Sequence, residues 1–386
     1  MTMEEMSVST LVASAAFIAG IVFGATANKT NFCTMGAVSD MVLMGESTRF
    51  RSWMMAVAVA ILGTQGLHMM GEFEFTFAGR DFLGAVDLTR GPADGGPIYL
   101  TTNLGWLGAI LGGMMFGYGM TRAGGCGNKT LVRIGAGNLK SIVVLMIMGI
   151  TAYMTQRGLI GLARLELEKS NVDLSESLES QSMVEMIASL IGSETESIRL
   201  IVALVFSIAI LAYCFKDAEF RASTNDIVAG LIIGLIIPVG WFITGVIGGD
   251  DFDPTQMFSF TFVAPSGDSI QYLMTFTGMS INFGIAAVFG VIAGSFLMAI
   301  ATKSFHIEAF SGADDMKSHM GGATLMGIGG VLALGCTVGQ GLTGMSTLAL
   351  GSLIALISII FGAMWGLKAL EEDSVVDGLK AIFSRD

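Results

Sequence analysis

Two of the four cysteines lie in glycine-rich segments that resemble each other. The segments read MFGYGMTRAGGCGNKT around Cys126 and LMGIGGVLALGCTVGQ around Cys336. When these cysteines are aligned, at an offset of 210 residues, one alanine pair and three glycine pairs also coincide, namely Gly117/Gly327, Gly119/Gly329, Ala123/Ala333 and Gly125/Gly335. Glycine lets backbone N–H groups approach a ligand, and a helix that begins after such a break presents the positive end of its dipole. The repeated segment therefore favours an anion.

The thiols add a second chemical preference. A neutral thiol is a weak donor on a polarizable atom, which suits the soft sulfur of a sulfur-bearing anion. Small apolar packing beside the glycines is the alternative explanation for both cysteines. Four polar neighbours are candidate supporting residues, although helix capping or membrane topology also explains them: Asn128, Lys129, Thr337 and Gln340. Cys214 has no glycine break beside it, so we expect it only to pack.

The composition places these segments in a membrane. The chain is 53% hydrophobic and 13% charged, with a mean hydropathy of +0.71, far more apolar than a soluble domain. The net charge of −12 comes from acidic loops, and no basic stripe for nucleic acid is present. Neither paired Cys-x-x-Cys spacing nor a His/Cys/Asp ligand pattern occurs. We therefore expect no metal, no cofactor and no enzyme.

Nine apolar stretches are long enough to cross a bilayer. They lie at 8–26, 52–70, 103–121, 141–160, 198–215, 226–247, 279–301, 320–335 and 346–368. The sequence thus predicts an all-α polytopic membrane protein. Segment 161–197 is predicted to be an amphipathic external helix pair, and 71–100 the other large external loop. Segment 248–278 carries acidic residues and no basic ones, including Asp250, Asp251 and Asp253.

The distribution of basic residues sets the expected orientation. Alternate loops and the C-terminus hold fourteen of the twenty Lys and Arg residues, which predicts an external N-terminus and a cytoplasmic C-terminus. A single span between two groups of four would invert the second group. We therefore expect a first repeat at 1–160, an acidic segment with linking span at 161–225, an inverted repeat at 226–370 and a tail at 371–386. The glycine-broken elements would meet near the midplane.

Three segments resemble the signature segments of the YeeE/YedE family of sulfur transporters. They are GATANKTNFCTMGAVSD (Gly24 to Asp40), GWLGAILGGMMFGYGMTRAGGCGNKTLVRIGAGNLKS (Gly105 to Ser141) and GGVLALGCTVGQGLTGMSTLALGS (Gly329 to Ser352). The resemblance implies inner-membrane uptake of thiosulfate through an hourglass-shaped body with short inward-pointing helices.

The resemblance also implies three essential cysteines that pass thiosulfate along by S–H to sulfur hydrogen bonds. By segment match they are Cys33, Cys126 and Cys336, and the glycines beside the last two are Gly124, Gly125, Gly127 and Gly335. A cytoplasmic sulfurtransferase of the TusA type is the implied partner. Another small sulfur or selenium species remains an alternative substrate. A cysteine-based membrane oxidoreductase or sulfurtransferase is the alternative activity; an oxidoreductase would need a resolving cysteine or redox ligands.

Overall fold

The computed structural model describes residues 7–77, 80–176, 178–249 and 256–383, and this part of the chain is almost entirely helical. In chain order the helices and strands are α1 (Val8–Thr30), α2 (Thr34–Ser39), α3 (Thr48–Met69), β1 (Glu72–Phe77), β2 (Arg80–Ala85), β3 (Asn103–Leu104), α4 (Trp106–Arg122), α5 (Gly127–Gly135), α6 (Leu139–Arg157), α7 (Ile160–Glu168), β4 (Val172–Asp173), α8 (Met183–Ile191), α9 (Thr195–Phe215), α10 (Ala218–Ala222), α11 (Thr224–Phe242), α12 (Val263–Met274), α13 (Phe283–Ala301), α14 (Ala313–Leu332), α15 (Leu350–Glu371) and α16 (Val375–Phe383). The prediction of an all-α polytopic membrane protein is confirmed.

Each of the nine predicted spans overlaps a long helix. Among the described residues, seven helical stretches are apolar and long enough to cross a bilayer. The other two predicted spans correspond to α4, which has only 17 residues, and to α14, whose first turn carries Asp314 and Asp315. These two helices pack against each other and along α15 and α6 respectively. The count of nine crossings therefore stays a prediction, and it depends on α4 and α14.

Short helices follow breaks in the chain at four places. They are α2, α5, α12 and a segment at 337–346 whose centre, Gly339–Gly344, is π-helical. Three of the breaks contain a residue in the left-handed backbone region: Asn31 (φ 55°), Gly124 (φ 69°) and Leu334 (φ 56°). A left-handed residue ends a helix and turns the chain. The sequence of turn and short helix is what brings polar backbone groups to the interior.

Glycines allow the long helices to pack closely. A Cβ placed at Gly24 of α1 would lie 2.1 Å from the Val291 carbonyl oxygen of α13, and one at Gly117 of α4 would lie 2.1 Å from the Ile359 carbonyl oxygen of α15. Such contacts are typical of small-residue packing in membranes. The same arrangement recurs where α11 packs along α3 and α14 along α6. The helix partners therefore occur in matching pairs.

The segments between the spans include some structure that the sequence did not predict. The expected helix pair at 161–197 is present as α7 and α8. The expected loop at 71–100 instead contains an antiparallel hairpin, in which Glu72 of β1 pairs with Ala85 of β2. Its EFEFTF sequence alternates polar and apolar residues, the pattern of a half-buried strand. The sequence therefore does contain a signal for the first strand of this hairpin. Asp250, Asp251 and Asp253 lie outside the described residues.

Candidate functional site

Three cysteines stand at the start of three of the short helices. Cys33 is the N-cap of α2 and Cys126 is the N-cap of α5, while Cys336 directly precedes the 337–346 segment. The Cys33 sulfur accepts a hydrogen bond from the Gly36 N–H (3.5 Å), and the Cys336 sulfur accepts one from the Gly339 N–H (3.4 Å). All three cysteines are buried. Each thiol therefore lies at the positive end of a helix, where an anion is favoured.

Two of these thiols are direct neighbours. The sulfur atoms of Cys33 and Cys126 are 3.8 Å apart although the residues are 93 positions apart in the chain. The Cys126 thiol also donates to the Asn128 side-chain oxygen at 2.6 Å. The sequence predicted both cysteines as site residues but gave no indication that they touch. That contact depends on how α1 and α4 end, which sequence spacing does not reveal.

The third thiol continues the line. Thr337, the residue after Cys336, places its hydroxyl beside the Cys126 thiol. On the opposite side of Cys336, its sulfur lies 4.0 Å from the Thr261 hydroxyl oxygen. Cys33 with Cys126 and Cys336 with Thr261 thus form two contacting pairs, and Thr337 lies between the two pairs in the buried interior; these five residues are here called the row. Thr261 was not among the residues predicted from the sequence, because nothing in its segment resembles the cysteine segments.

Several buried polar groups along this row have no hydrogen-bond partner. Among the described residues, the unpartnered atoms include the Thr34 hydroxyl, the Asn128 side-chain nitrogen and the Thr337 hydroxyl. These three residues are at most 1% exposed. Leaving a buried donor unpaired costs on the order of 1–3 kcal/mol, so a fold seldom keeps three together. Three unpaired donors beside the cysteines fit a ligand that supplies acceptors, such as an oxyanion.

The glycines near Cys126 differ in how strongly the structure requires them. Gly124 has a φ of 69°, which disfavours any side chain. A Cβ at Gly125 would lie 3.2 Å from the Lys129 side chain, and one at Gly335 would lie 3.1 Å from the Gln340 backbone nitrogen. At Gly127 the nearest atom would be 3.7 Å away, which is ordinary van der Waals contact. Of the four predicted glycines, only Gly127 combines ordinary space for a methyl group with a backbone outside the left-handed region.

Two cavities lie beside the turn that leads from α14 to Cys336, on the side of the membrane where α1 begins, here called the N-side. Their volumes are about 480 and 450 Å³, and Arg164, Val331 and Leu334 line both. Gln340, with its side-chain nitrogen bonded to the Ala333 carbonyl and its oxygen unpartnered, lines the first. Thr261 lines the second. The row of thiols and hydroxyls therefore opens toward the N-side.

Among the described residues, Arg164 of α7 is the one basic residue that lines these two cavities. One of its terminal nitrogens lies 3.1 Å from a Glu168 carboxylate oxygen. Its buried Nε has no partner within the described part of the chain. Because a guanidinium binds oxyanions with several donors at once, Arg164 suits the capture of an anion at the mouth of the path.

The opposite end of the row, on the far side of the membrane, is richer in positive charge. Arg49 pairs with Asp40 at 2.7 Å, and the Lys129 ammonium donates to the Asn31 side-chain oxygen. Arg133 donates to the Gly124 carbonyl oxygen at 2.6 Å. Lys129 is thus one of three cations around the Cys33 and Cys126 end, whereas the N-side cavities have one. An anion would meet more positive charge as it moves from the N-side to the far side.

A sequence profile described as sulphur transport matches residues 29–365. The chain belongs to the sulphur transport family. It is 25% identical over 354 residues to a protein of Escherichia coli strain K12 named thiosulfate transporter TsuA, an alignment that covers 89% of this chain and 91% of that protein. It is also 25% identical over 349 residues to the thiosulfate transporter TsuA of Spirochaeta thermophila, with coverage of 89% and 95%. The relatives are transporters, in agreement with the predicted absence of an enzyme activity.

The remaining cysteine of this sulphur transport family member is separate from the row. Cys214, at the end of α9, is buried in a small cluster with Met55 and Phe220, and its thiol donates to the Arg51 carbonyl oxygen at 3.3 Å. This position agrees with the packing role expected from its sequence. In the described residues, no group of three His, Cys, Asp or Glu side chains is close enough together to hold a metal ion.

Proposed function

We propose that this protein takes up thiosulfate across the inner (cytoplasmic) membrane through the row of Cys336, Cys126 and Cys33. The single observation that carries the proposal is the burial of these three thiols between the N-side cavities and the far-side cations. The row begins beside the N-side cavities and ends with two thiols 3.8 Å apart, near the far-side cations. Two relatives that cover most of the chain are named thiosulfate transporters, which supports this choice of substrate.

The proposed path has four steps. Arg164 attracts the anion into the N-side cavities, and the ion then meets the Cys336 thiol. It moves next to Cys126, where the Thr337 hydroxyl and the Asn128 amide nitrogen lack partners and can donate to its oxygens. Cys33 receives it last. Each S–H group is a weak donor, so every site holds the ion loosely, as passage through a multi-site conduit requires.

The proposal includes the two inverted repeats, at 1–160 and 226–370, joined by 161–225 and followed by the tail at 371–386. In the two proposed repeats the counterpart helices are α1 and α11, α3 and α13, α4 and α14, and α6 and α15. When each helix is replaced by its counterpart, the packing of α1 on α13 becomes that of α11 on α3. In the same way the packing of α4 on α15 becomes that of α14 on α6, and all four contacts are present. This reciprocity supports two copies of one unit.

Orientation and partner complete the proposal. In the proposed orientation the far side is cytoplasmic and the N-side is external, which the excess of Lys and Arg in the far-side loops supports. A small cytoplasmic sulfurtransferase of the TusA type is the proposed recipient of the imported ion, because removing product on that side would draw uptake forward. Selenium or other small sulfur anions remain alternative cargo, since the same donors would accept them.

One observation favours a different activity. In a covalent route, one thiolate would attack the outer sulfur of thiosulfate and release sulfite. The resulting persulfide could pass its outer sulfur to the second thiol, 3.8 Å away, and return to a thiol itself, as in a sulfurtransferase. Mass spectrometry of protein purified after turnover with thiosulfate separates the two ideas. Relay by hydrogen bonds leaves all cysteines unmodified, whereas a stoichiometric sulfur adduct on any of the three would establish the covalent route.

The test of the main proposal is transport in cells that lack their own thiosulfate uptake. Expression of this chain should restore growth on thiosulfate as the sole sulfur source and should permit accumulation of radiolabelled thiosulfate. Growth on cysteine, measured in parallel, controls for general fitness. A chain that reaches the membrane at normal levels but restores neither growth nor accumulation is not a thiosulfate transporter.

A further inference from the structure

We propose that Thr261 is a fourth substrate-binding residue, the N-side counterpart of Cys33, whose hydroxyl binds the oxygen end of thiosulfate while the Cys336 thiol faces the sulfur end. This inference rests on the proposed function. It assigns to the outer site a means of selecting the substrate, which the three cysteines alone do not provide.

The position of Thr261 repeats that of Cys33. Cys33 lies between α1 and the short helix α2, immediately before α2, and its sulfur is 3.8 Å from Cys126. Thr261 lies between α11 and the short helix α12, two residues before α12 begins, and its hydroxyl oxygen is 4.0 Å from the Cys336 sulfur. In both places a long helix leads to a short one, and a side chain just before the short helix lies next to a cysteine of one of the two repeated glycine segments. The two contacts are therefore related by the proposed repeat.

The hydroxyl of Thr261 is not used to hold the backbone. Two nearby threonines do have that role: the Thr244 hydroxyl donates to the Phe258 carbonyl at 2.7 Å, and the Thr343 hydroxyl donates to the Phe260 carbonyl at 2.6 Å. Within the described chain, the Thr261 hydroxyl makes only a long hydrogen-bonding contact, 4.0 Å from its oxygen to the Cys336 sulfur. Its side chain is 9% exposed and lines the 450 Å³ cavity. The hydroxyl is thus available to an incoming ion.

A glycine fixes the place of this hydroxyl. A Cβ at Gly339 would lie 2.5 Å from the Thr261 hydroxyl oxygen, so the two segments approach as closely as a glycine allows. The Gly339 N–H is also the donor to the Cys336 sulfur. The Thr261 hydroxyl reaches the cavity, and the Cys336 thiol lies behind it with its sulfur held by the Gly339 N–H. The hydroxyl and the thiol are therefore two donors in fixed positions next to each other.

The chemistry of the pair fits thiosulfate at both ends. An O–H group is a stronger donor than S–H and favours the sulfonate-like oxygens, while the polarizable thiol suits the terminal sulfur. Sulfate, which has oxygens at every position, would place an oxygen against the thiol. The inner pair, Cys33 and Cys126, presents two thiols instead. We infer that selection between thiosulfate and sulfate takes place at the outer pair, before the ion enters the path.

The experiment is uptake of radiolabelled thiosulfate by cells that express Thr261→Val, which keeps the side-chain shape but removes the hydroxyl. A hydrogen bond to a charged group is worth enough that its loss should raise KM about tenfold or more, with the maximal rate reduced less. Thr261→Ser should restore the original KM. Thr155→Val is the matched control, because Thr155 is equally buried but its hydroxyl donates to the Thr151 carbonyl of its own helix.

Competition and crosslinking provide two further measurements. Sulfate should compete with thiosulfate more effectively in Thr261→Val than in Thr261→Ser, because the valine variant lacks the hydroxyl that binds the oxygen end of thiosulfate. In Thr261→Cys combined with Cys33→Ala, which removes the other close pair of thiols, a mild oxidant should link the thiol at position 261 to Cys336, detected as a loss of two hydrogens by mass spectrometry. An unchanged KM and unchanged competition in Thr261→Val would overturn the role of Thr261 alone. No uptake by the unaltered chain would overturn the proposed function and this site with it.

Discussion

At the scale of single residues, the three site cysteines differ from Cys214 in what lies in front of each sulfur. Cys33 and Cys336 accept from backbone N–H groups at helix starts, and Cys126 donates to Asn128. Cys214 donates to a carbonyl within a packed cluster. Cys33 and Cys336 thus lie beside backbone donors, and the residue that accepts from Cys126 also carries an amide nitrogen without a partner in the described chain, whereas Cys214 lies beside a backbone carbonyl. Burial alone does not separate them, because all four are buried.

The first prediction concerns these sulfurs. We expect Cys126→Ala and Cys336→Ala each to reduce thiosulfate uptake by at least two orders of magnitude, because the row would then contain a gap with no donor. Uptake of radiolabelled thiosulfate, normalised to the amount of protein in the membrane, is the measurement. Cys214→Ala is the control and should retain nearly full uptake. Substantial uptake by both site variants would remove the cysteines from the path.

The sequence predicted the three cysteines as site residues but not their partners. The repeated glycine segments indicated Cys126 and Cys336, and the structure places both at the starts of short helices. The contact between Cys33 and Cys126 and the contact of Thr261 with Cys336 join parts of the chain that are far apart in sequence. Sequence patterns report local structure, so contacts created by the packing of long helices could not be derived from them.

At the scale of elements, close approach of the long helices holds the short ones in place. α1 packs on α13 through Gly20 and Gly24, whose missing side chains admit the backbone of the partner helix. α1 ends at Asn31, two residues before Cys33. A change in the distance between these helices would therefore displace the Cys33 thiol directly. The spacing of the interface and the geometry of the site are mechanically connected.

The second prediction tests this connection. Gly24→Ala should lower the thermal unfolding temperature of the purified protein, because its Cβ would lie 2.1 Å from a backbone oxygen that cannot move aside. Overpacking of this kind costs roughly 1–3 kcal/mol. Gly66→Ala in α3 is the control, since a Cβ there meets nothing within 4 Å, and it should be neutral or slightly stabilising. Equal unfolding temperatures for the two variants would contradict the packing described.

At the scale of the whole molecule, positive charge is unevenly distributed along the path. The N-side cavities have Arg164, while Arg49, Lys129 and Arg133 surround the far end. The potential along the path therefore favours movement of an anion toward the far side. It opposes the membrane potential, which drives anions out of a cell whose interior is negative. Uptake then depends on consumption of the ion in the cytoplasm.

The third prediction tests which side of the membrane is external and which is cytoplasmic. In a variant with all four cysteines replaced by alanine, Ser189→Cys in α8 should react with a membrane-impermeant maleimide in intact cells. Glu372→Cys, just beyond α15, should react only after the cells are permeabilised, because the basic loops place it inside. Both positions are exposed. Reaction of the position at 372 in intact cells would reverse the direction of the proposed path.

The contact between Cys33 and Cys126 has a consequence for the redox state of the protein. Two thiols 3.8 Å apart are joined readily by an oxidant, and a disulfide there would close the path. Secretory and periplasmic compartments oxidise thiols, whereas the cytosol keeps them reduced. In the proposed orientation this pair lies at the cytoplasmic end of the path, on the side where the cell keeps thiols reduced. The matching position on the external side is Thr261, whose oxygen cannot form such a bond with Cys336. Because Thr261 has an oxygen where Cys33 has a sulfur, no disulfide can close the outer entrance under oxidising conditions.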